Sequence, residues 1–267
     1  FSVRISGTVV SLDSEGIKAP CISEVIQWGK TDVRYISGAF RDNYLLKRVC
    51  SDPYNALGNI DNLDQVFYRC SELEEIPEDV FKNCVNAHNA IETFNGCKSL
   101  TSIPEKIFAN CRNLNHLHAT FRNCSALTEI PEDLFANNPN IYEASYVFDN
   151  CDGITEIPSD LFKNNHELES IYGLFQQSDG FTSIPEDLFA ENTKLQILEY
   201  AFNNCRGLTA IPDGLFRNNS DIKSFCGAFH NCLSLTTVPT NIFDNNRKVI
   251  NFQGTFGWCY ELEGESP

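Results

Sequence analysis

Methionine is absent from all 267 residues, tryptophan occurs twice and histidine five times. Without an initiator methionine, Phe1 reads as the start of a mature or trimmed fragment from which any targeting signal is already gone. Basic residues are scarce, with 20 Lys+Arg against 36 Asp+Glu and a net charge of −16. Such a chain repels a polyanion, which excludes nucleic acid as a partner class. No apolar run reaches about 18 residues, so no segment is expected to span a membrane as a helix. The motifs G-x-S-x-G, H-E-x-x-H, G-x-G-x-x-G and the phosphate-binding P-loop are missing, as is any C-x-x-C pair. These gaps remove the common hydrolase, zinc and nucleotide sites, so neither an enzyme nor a cofactor nor a metal is expected. What remains, 42% apolar and 21% charged residues, is an ordinary globular composition.

A repeat dominates what is there. Ile-Pro occurs at Ile76, Ile103, Ile130, Ile157, Ile184 and Ile211, and Val238-Pro239 continues the series, always 27 residues apart. Phenylalanine keeps the same period at Phe40, Phe67, Phe94, Phe121, Phe148, Phe175, Phe202, Phe229 and Phe256. One unit reads L-x-x-L-x-x-x-F-x-x-C-x-x-L-T-x-I-P-E-D-L-F-x-x-N. No unit can bury these apolar residues alone, so the units must stack around one continuous core. The expected fold is an α/β solenoid, a right-handed superhelix of about eight to nine turns with short parallel strands and one short helix per turn.

Local chemistry motivates those elements. Thr128-Glu129-Ile130 and its equivalents read as a short strand. Pro131-Glu132-Asp133-Leu134-Phe135 reads as a short helix, with proline at its first position and acids complementing the helix dipole. The following Asn137-Asn138 pair suits a left-handed helix exit. Residues 1–20 read as a small β cap or the remnant of an upstream module, with a turn at Asp13-Ser14-Glu15-Gly16. Residues 21–60 form a capping turn in which Cys50 takes the place of the proline, with the solenoid continuous from about 33. Residues 61–267 carry the regular repeats, which break off where Glu265-Ser266 replace Ile-Pro.

The run from Phe202 to Pro212, with its A-F-x-x-C-x-x-L-T-x-I signature, resembles the BspA-like leucine-rich repeats, and the likeness extends over about residues 33–262. The period of 27 is longer than that family's short form. The resemblance implies a leucine-rich-repeat fold and an exported, cell-surface protein of a host-associated bacterium, engaged in adhesion or binding. A lipid anchor through a removed N-terminal segment is compatible with that location.

Twelve cysteines in an exported chain invite a disulfide reading. Their spacing argues for buried free thiols instead. Cys70, Cys97, Cys124, Cys151, Cys205, Cys232 and Cys259 share one slot, which also accepts Asn43 and Ser178. Side chains in a ladder point in parallel, whereas a disulfide needs them to converge. Cys84 and Cys111 share a second slot.

Constant slots report packing, and variable exposed slots on a rigid sheet are where a solenoid carries recognition. Ahead of each phenylalanine those slots hold His116, His118, Tyr142, Tyr146, Tyr172, Glu199 and Tyr200. Strand alternation predicts that Tyr142 and Tyr146 face a different side from Tyr172. The expected function is a non-catalytic cell-surface binding or adhesion protein that engages a protein or glycan at its sheet face. The alternatives are a carbohydrate-active enzyme on a solenoid and a structural spacer presenting another domain.

Overall fold

The computed structural model describes residues 2–4, 22–28 and 33–263. The expected turn at Asp13–Gly16, Cys21 and the break at Glu265-Ser266 lie outside the described residues. The chain winds as a solenoid in which, from Arg48 onward, bridged residues stack on their equivalents 27 positions away, while the first pairings, Ser2 with Glu24 and Glu24 with Arg48, are closer in sequence. Parallel bridges run Asn62–Asn89–His116–Glu143–Ser170–Ile197–Ser224–Asn251. At the start, β1 (Ser2–Arg4), β2 (Glu24–Gln27) and β3 (Arg48–Val49) form a parallel three-stranded sheet, and Arg48 bridges onward to Glu75. Ser2–Arg4 thus continues the stack.

Between consecutive turns, three or four backbone N–H groups donate to carbonyls 26 residues ahead. Leu117 donates to Glu143, Ala119 to Ser145, Phe121 to Val147 and Asn123 to Asp149, at 2.8 to 3.0 Å. The intervening N–H groups fold back three residues, as Thr120 to Leu117 and Cys124 to Phe121. These are consecutive tight turns whose third residue takes positive φ, as at Ala119 (54°) and Asn123 (59°). Beyond the first sheet, strand pairing is therefore reduced to isolated bridges, one between most turns and a second at Ala210–Thr237.

The helix expected in each turn is absent among the described residues, whose return path is made of turns. Leu134 N–H donates to Pro131, Ala136 to Asp133 and Asn138 to Phe135, all three residues back. The physical reason lies in the side chain at Asn138. It is not a left-handed exit residue but a buried donor, whose Nδ2 reaches the carbonyls of Phe108 (3.1 Å) and Cys111 (2.8 Å) in the previous turn. Asn165, Asn192, Asn219 and Asn246 repeat the same pair of bonds. Those carbonyls also accept turn N–H groups of their own, Cys111 to Phe108 and Leu114 to Cys111, so the amide joins a chain of three-residue turns to the turn before it, and side-chain bonding of this kind favours turns over helix. With no helix, the acids after each proline complement no dipole. Several form ion pairs instead, as Asp160 with Lys163 and Glu186 with Arg217. The strand expected at Thr128–Ile130 is likewise reduced to single contacts, such as Thr128 N–H to the Thr101 carbonyl at 3.3 Å.

Two aromatic rows fill the core. From Phe40 to Phe256 the nine ladder rings stack at 5.3 to 5.8 Å, with planes 2° to 17° apart. Trp28 caps this row edge-on against Phe40 and donates its indole N–H to the Cys50 carbonyl. A second row, Phe81–Phe108–Phe135–Phe162–Phe189–Phe216, runs beside it.

The eleven described cysteines are all free thiols. Each ladder thiol donates to the phenylalanine carbonyl 30 residues earlier, as Cys124 to Phe94 (3.1 Å) and Cys151 to Phe121 (3.1 Å). Ser178 makes the same bond to Phe148 at 2.7 Å, which explains why the slot tolerates it. Burial pushes the Cys124 thiol up to about 12, so it stays protonated and keeps its donor.

Two outcomes follow from this core. Phe121→Ala should destabilise the fold by about 3–5 kcal/mol, read from urea unfolding, because a solenoid cannot collapse around a missing ring in a row. In thiol titration without reductant, the half-buried Cys50 and Cys226 should react in the native protein. The nine buried cysteines should react only after denaturation. A deficit of thiols in denaturant would contradict the ladder.

Candidate functional site

The variable slots lie on the bridged face, just ahead of each ladder phenylalanine. The structure brings six of the seven expected residues into one continuous strip of rings. Tyr142 stacks on His116 (5.8 Å), His116 meets His118 (6.5 Å), and His118 meets Tyr146 edge-on (5.6 Å). Tyr146 then packs on Tyr172 (5.1 Å), and Tyr172 on Tyr200 (5.5 Å). The seventh, Glu199, is half-buried beside Tyr200.

The expectation that alternation separates Tyr146 from Tyr172 fails. Alternation requires extended backbone, and here Tyr146 and Tyr200 adopt φ of 57°. A left-handed residue reverses the sense of the chain, so neighbouring slots can share a side. Glycine makes the arrangement possible. Tyr146, Gly173, Tyr200 and Gly227 succeed one another in a single slot, and each tyrosine ring lies over the next glycine. A Cβ on Gly173 would stand 2.6 Å from the Tyr146 ring, and one on Gly227 would stand 2.4 Å from the Tyr200 ring. This alternation of large and absent side chains was legible in the sequence as a 27-residue Tyr/Gly pattern.

Charged groups buttress the strip. His116 Nε2 lies 2.9 Å from Glu143 Oε2, and Glu143 Oε1 accepts the Ser145 N–H. Beneath Tyr146, Arg122 pairs with Asp149 at 2.6 Å and sets its guanidinium 5.0 Å from the Tyr146 ring centre. Sequence reasoning missed this pair, since both residues follow a ladder phenylalanine and resemble ordinary corner residues. Burial, with the Tyr172 hydroxyl next, pushes the Tyr146 phenol up to about 12. The Tyr200 phenol is also raised, chiefly through its hydrogen bond with the Cys226 sulfur 3.8 Å away, which favours the protonated phenol. No group of three or more potential metal ligands occurs among the described residues.

Asp149 is fully buried, and desolvation raises its carboxyl from 3.8 to about 6 despite Arg122. The folded state therefore holds this proton more tightly than the unfolded chain. The stabilising contribution is complete below the unfolded value and is lost as pH rises through the folded one. In urea unfolding, wild type should lose stability relative to Asp149→Asn between about pH 4 and about pH 7. Parallel curves would show that burial does not raise this carboxyl.

No helix among the described residues is long and apolar enough to cross a membrane. Solved structures of similar form include a chain of the Toll–Spatzle complex of Drosophila, at 16% identity and a TM-score of 0.36, covering 86% of this chain and 35% of that one. A leucine-rich repeat protein from Bacteroides ovatus matches at 19% identity and a TM-score of 0.34, covering 85% of this chain and 68% of that one. This chain thus spans about a third of the Toll–Spatzle chain. Among curated proteins, none has a sequence that matches. The family model described as "BspA type Leucine rich repeat region" matches in 6 copies over residues 53–196 and 128–262. With most of its length covered, the chain belongs to the BspA-type leucine-rich repeat family.

Proposed function

We propose that this chain is a non-catalytic recognition module whose bridged face engages a partner through His116, His118, Tyr142, Tyr146, Tyr172, Glu199 and Tyr200. The observation that carries the reading is the unbroken strip of rings from Tyr142 to Tyr200. The core does not require it, because the same slots hold Asp64, Ile91 and Gln253 in other turns without interrupting the ladder. Tyrosine offers large contact area at low entropy cost, with a polar tip.

The partner is a protein or a glycan, at the surface of the cell that exports the chain, in keeping with what the family resemblance implies. The scaffold of this reading is a right-handed solenoid of about eight to nine turns. A catalytic reading would need a carboxylate of raised pKa in an open groove. Burial raises both Asp64 and Asp149, but Asp64 accepts the Ile91 N–H and Asp149 is sealed beneath Tyr146 and paired with Arg122.

An array of glycans and host proteins, probed with wild type and a Tyr172→Ala, Tyr200→Ala double variant, tests the assignment. Wild type should bind a small set of array members, and the double variant should lose them by about tenfold or more. Binding that survives intact would remove this surface from consideration. No binding by wild type would favour the spacer.

A further inference from the structure

We propose that the strip takes an extended basic segment of a partner protein, with an arginine side chain laid over Tyr172 and Tyr200 against Glu199. This rests on the recognition reading above and names the chemistry of its ligand.

The chain itself shows the arrangement twice. Arg122 places its guanidinium 5.0 Å from the Tyr146 ring while pairing with Asp149. Arg69 places its own 5.0 Å from the Tyr68 ring while pairing with Asp42 at 3.6 Å, and Arg41 joins the same ring and carboxylate at 5.0 and 3.6 Å. In each case a guanidinium is shared between a tyrosine ring and a carboxylate, a combination that gains from both the ring quadrupole and the charge. At Tyr172, Tyr200 and Glu199 the rings and the carboxylate are present and the guanidinium is not. No hydrogen bond or ion pair engages the Glu199 carboxylate among the described residues, whereas Glu143 and Glu92 are already bonded, to His116 and Ser145 and to Gln65 and Asn95.

Charge on the face points the same way. From Asp61 to Gly227, the slots ahead of the ladder phenylalanines carry Asp61, Asp64, Glu92, Glu143, Glu169 and Glu199 against one lysine, Lys223. Lys223 is itself hydrogen-bonded to Gln196. A net charge of −16 steers a cationic partner inward and repels a second copy of this chain, as it repels sulfated or sialylated glycans. Ring geometry argues against a neutral glycan. Tyr172 is tilted 57° from Tyr146 and 55° from Tyr200, so successive rings share no plane on which a run of sugars could stack. A guanidinium needs only one face and one carboxylate.

The test uses the whole chain and labelled peptides of alternating glycine with arginine, lysine or glutamine, followed by fluorescence anisotropy. The arginine peptide should bind, the lysine peptide should bind about threefold or more weakly, and the glutamine peptide should not bind. Glu199→Gln and Tyr172→Ala should each weaken arginine-peptide binding by about fivefold or more, while Tyr172→Phe should retain it. Asp213→Asn, an exposed acid on the opposite, proline-bearing side, should leave it unchanged. Equal losses from Glu199→Gln and Asp213→Asn would reduce the effect to bulk charge and overturn the proposal. So would equal binding of arginine and lysine peptides. If the arginine peptide fails to bind while array binding is still lost in the Tyr172→Ala, Tyr200→Ala variant, the recognition face stands and its ligand is of another class. If both fail, both readings fall.

Discussion

Within the described repeats, a residue has its own equivalent as a neighbour one turn above and one below. That constraint comes from the backbone. Three or four N–H groups per turn reach the turn 26 residues ahead, which fixes the spacing between turns and forbids sideways slip. A side chain is then acceptable only if it can lie against a copy of itself, or against whatever occupies its slot next. Phenylalanine meets this by stacking nearly parallel. Cysteine, serine and asparagine meet it by donating to a carbonyl of the preceding turn. The polar ladders and the aromatic rows are two answers to one geometric demand.

The same demand shapes the ring strip. Bulky rings cannot fill one slot in consecutive turns where the backbone is left-handed and space beside it is short. Gly173 and Gly227 leave that space, and Tyr146 and Tyr200 spread into it. Tyr172 enters from the adjoining slot, and the rings tilt against one another instead of stacking. The face is thus rigid in its spacing but individual in its chemistry. A solenoid with an invariant core can in this way present a surface that no repeat consensus specifies.

Much of this was legible in the sequence. The period of 27, the phenylalanine rows and the unpaired thiols follow from residues recurring at fixed intervals. The placement of His116, His118, Tyr172 and Tyr200 on one surface follows from variability at slots that packing does not constrain. Local conformation was less legible. Pro131-Glu132-Asp133 carries strong helix-start chemistry, yet the segment closes three-residue turns and Asn138 ties it to the turn before. The sharing of one side by Tyr146 and Tyr172 depends on positive φ at a tyrosine, announced only by the glycines that fill the same slot one turn away. The Arg122–Asp149 pair was hidden because a contact between turns has no short-range signature.

The left-handed backbone at Tyr146 and Tyr200 has one more consequence. Equivalent positions are glycine at Gly38, Gly173, Gly227 and Gly254, which adopt that φ without penalty. A tyrosine there carries strain of about 1–2 kcal/mol. Strain retained at these half-buried positions marks a trade of thermodynamic comfort for surface. Directed evolution toward heat resistance alone would drift toward glycine at both sites, and the most thermostable descendants would be those with the barest face.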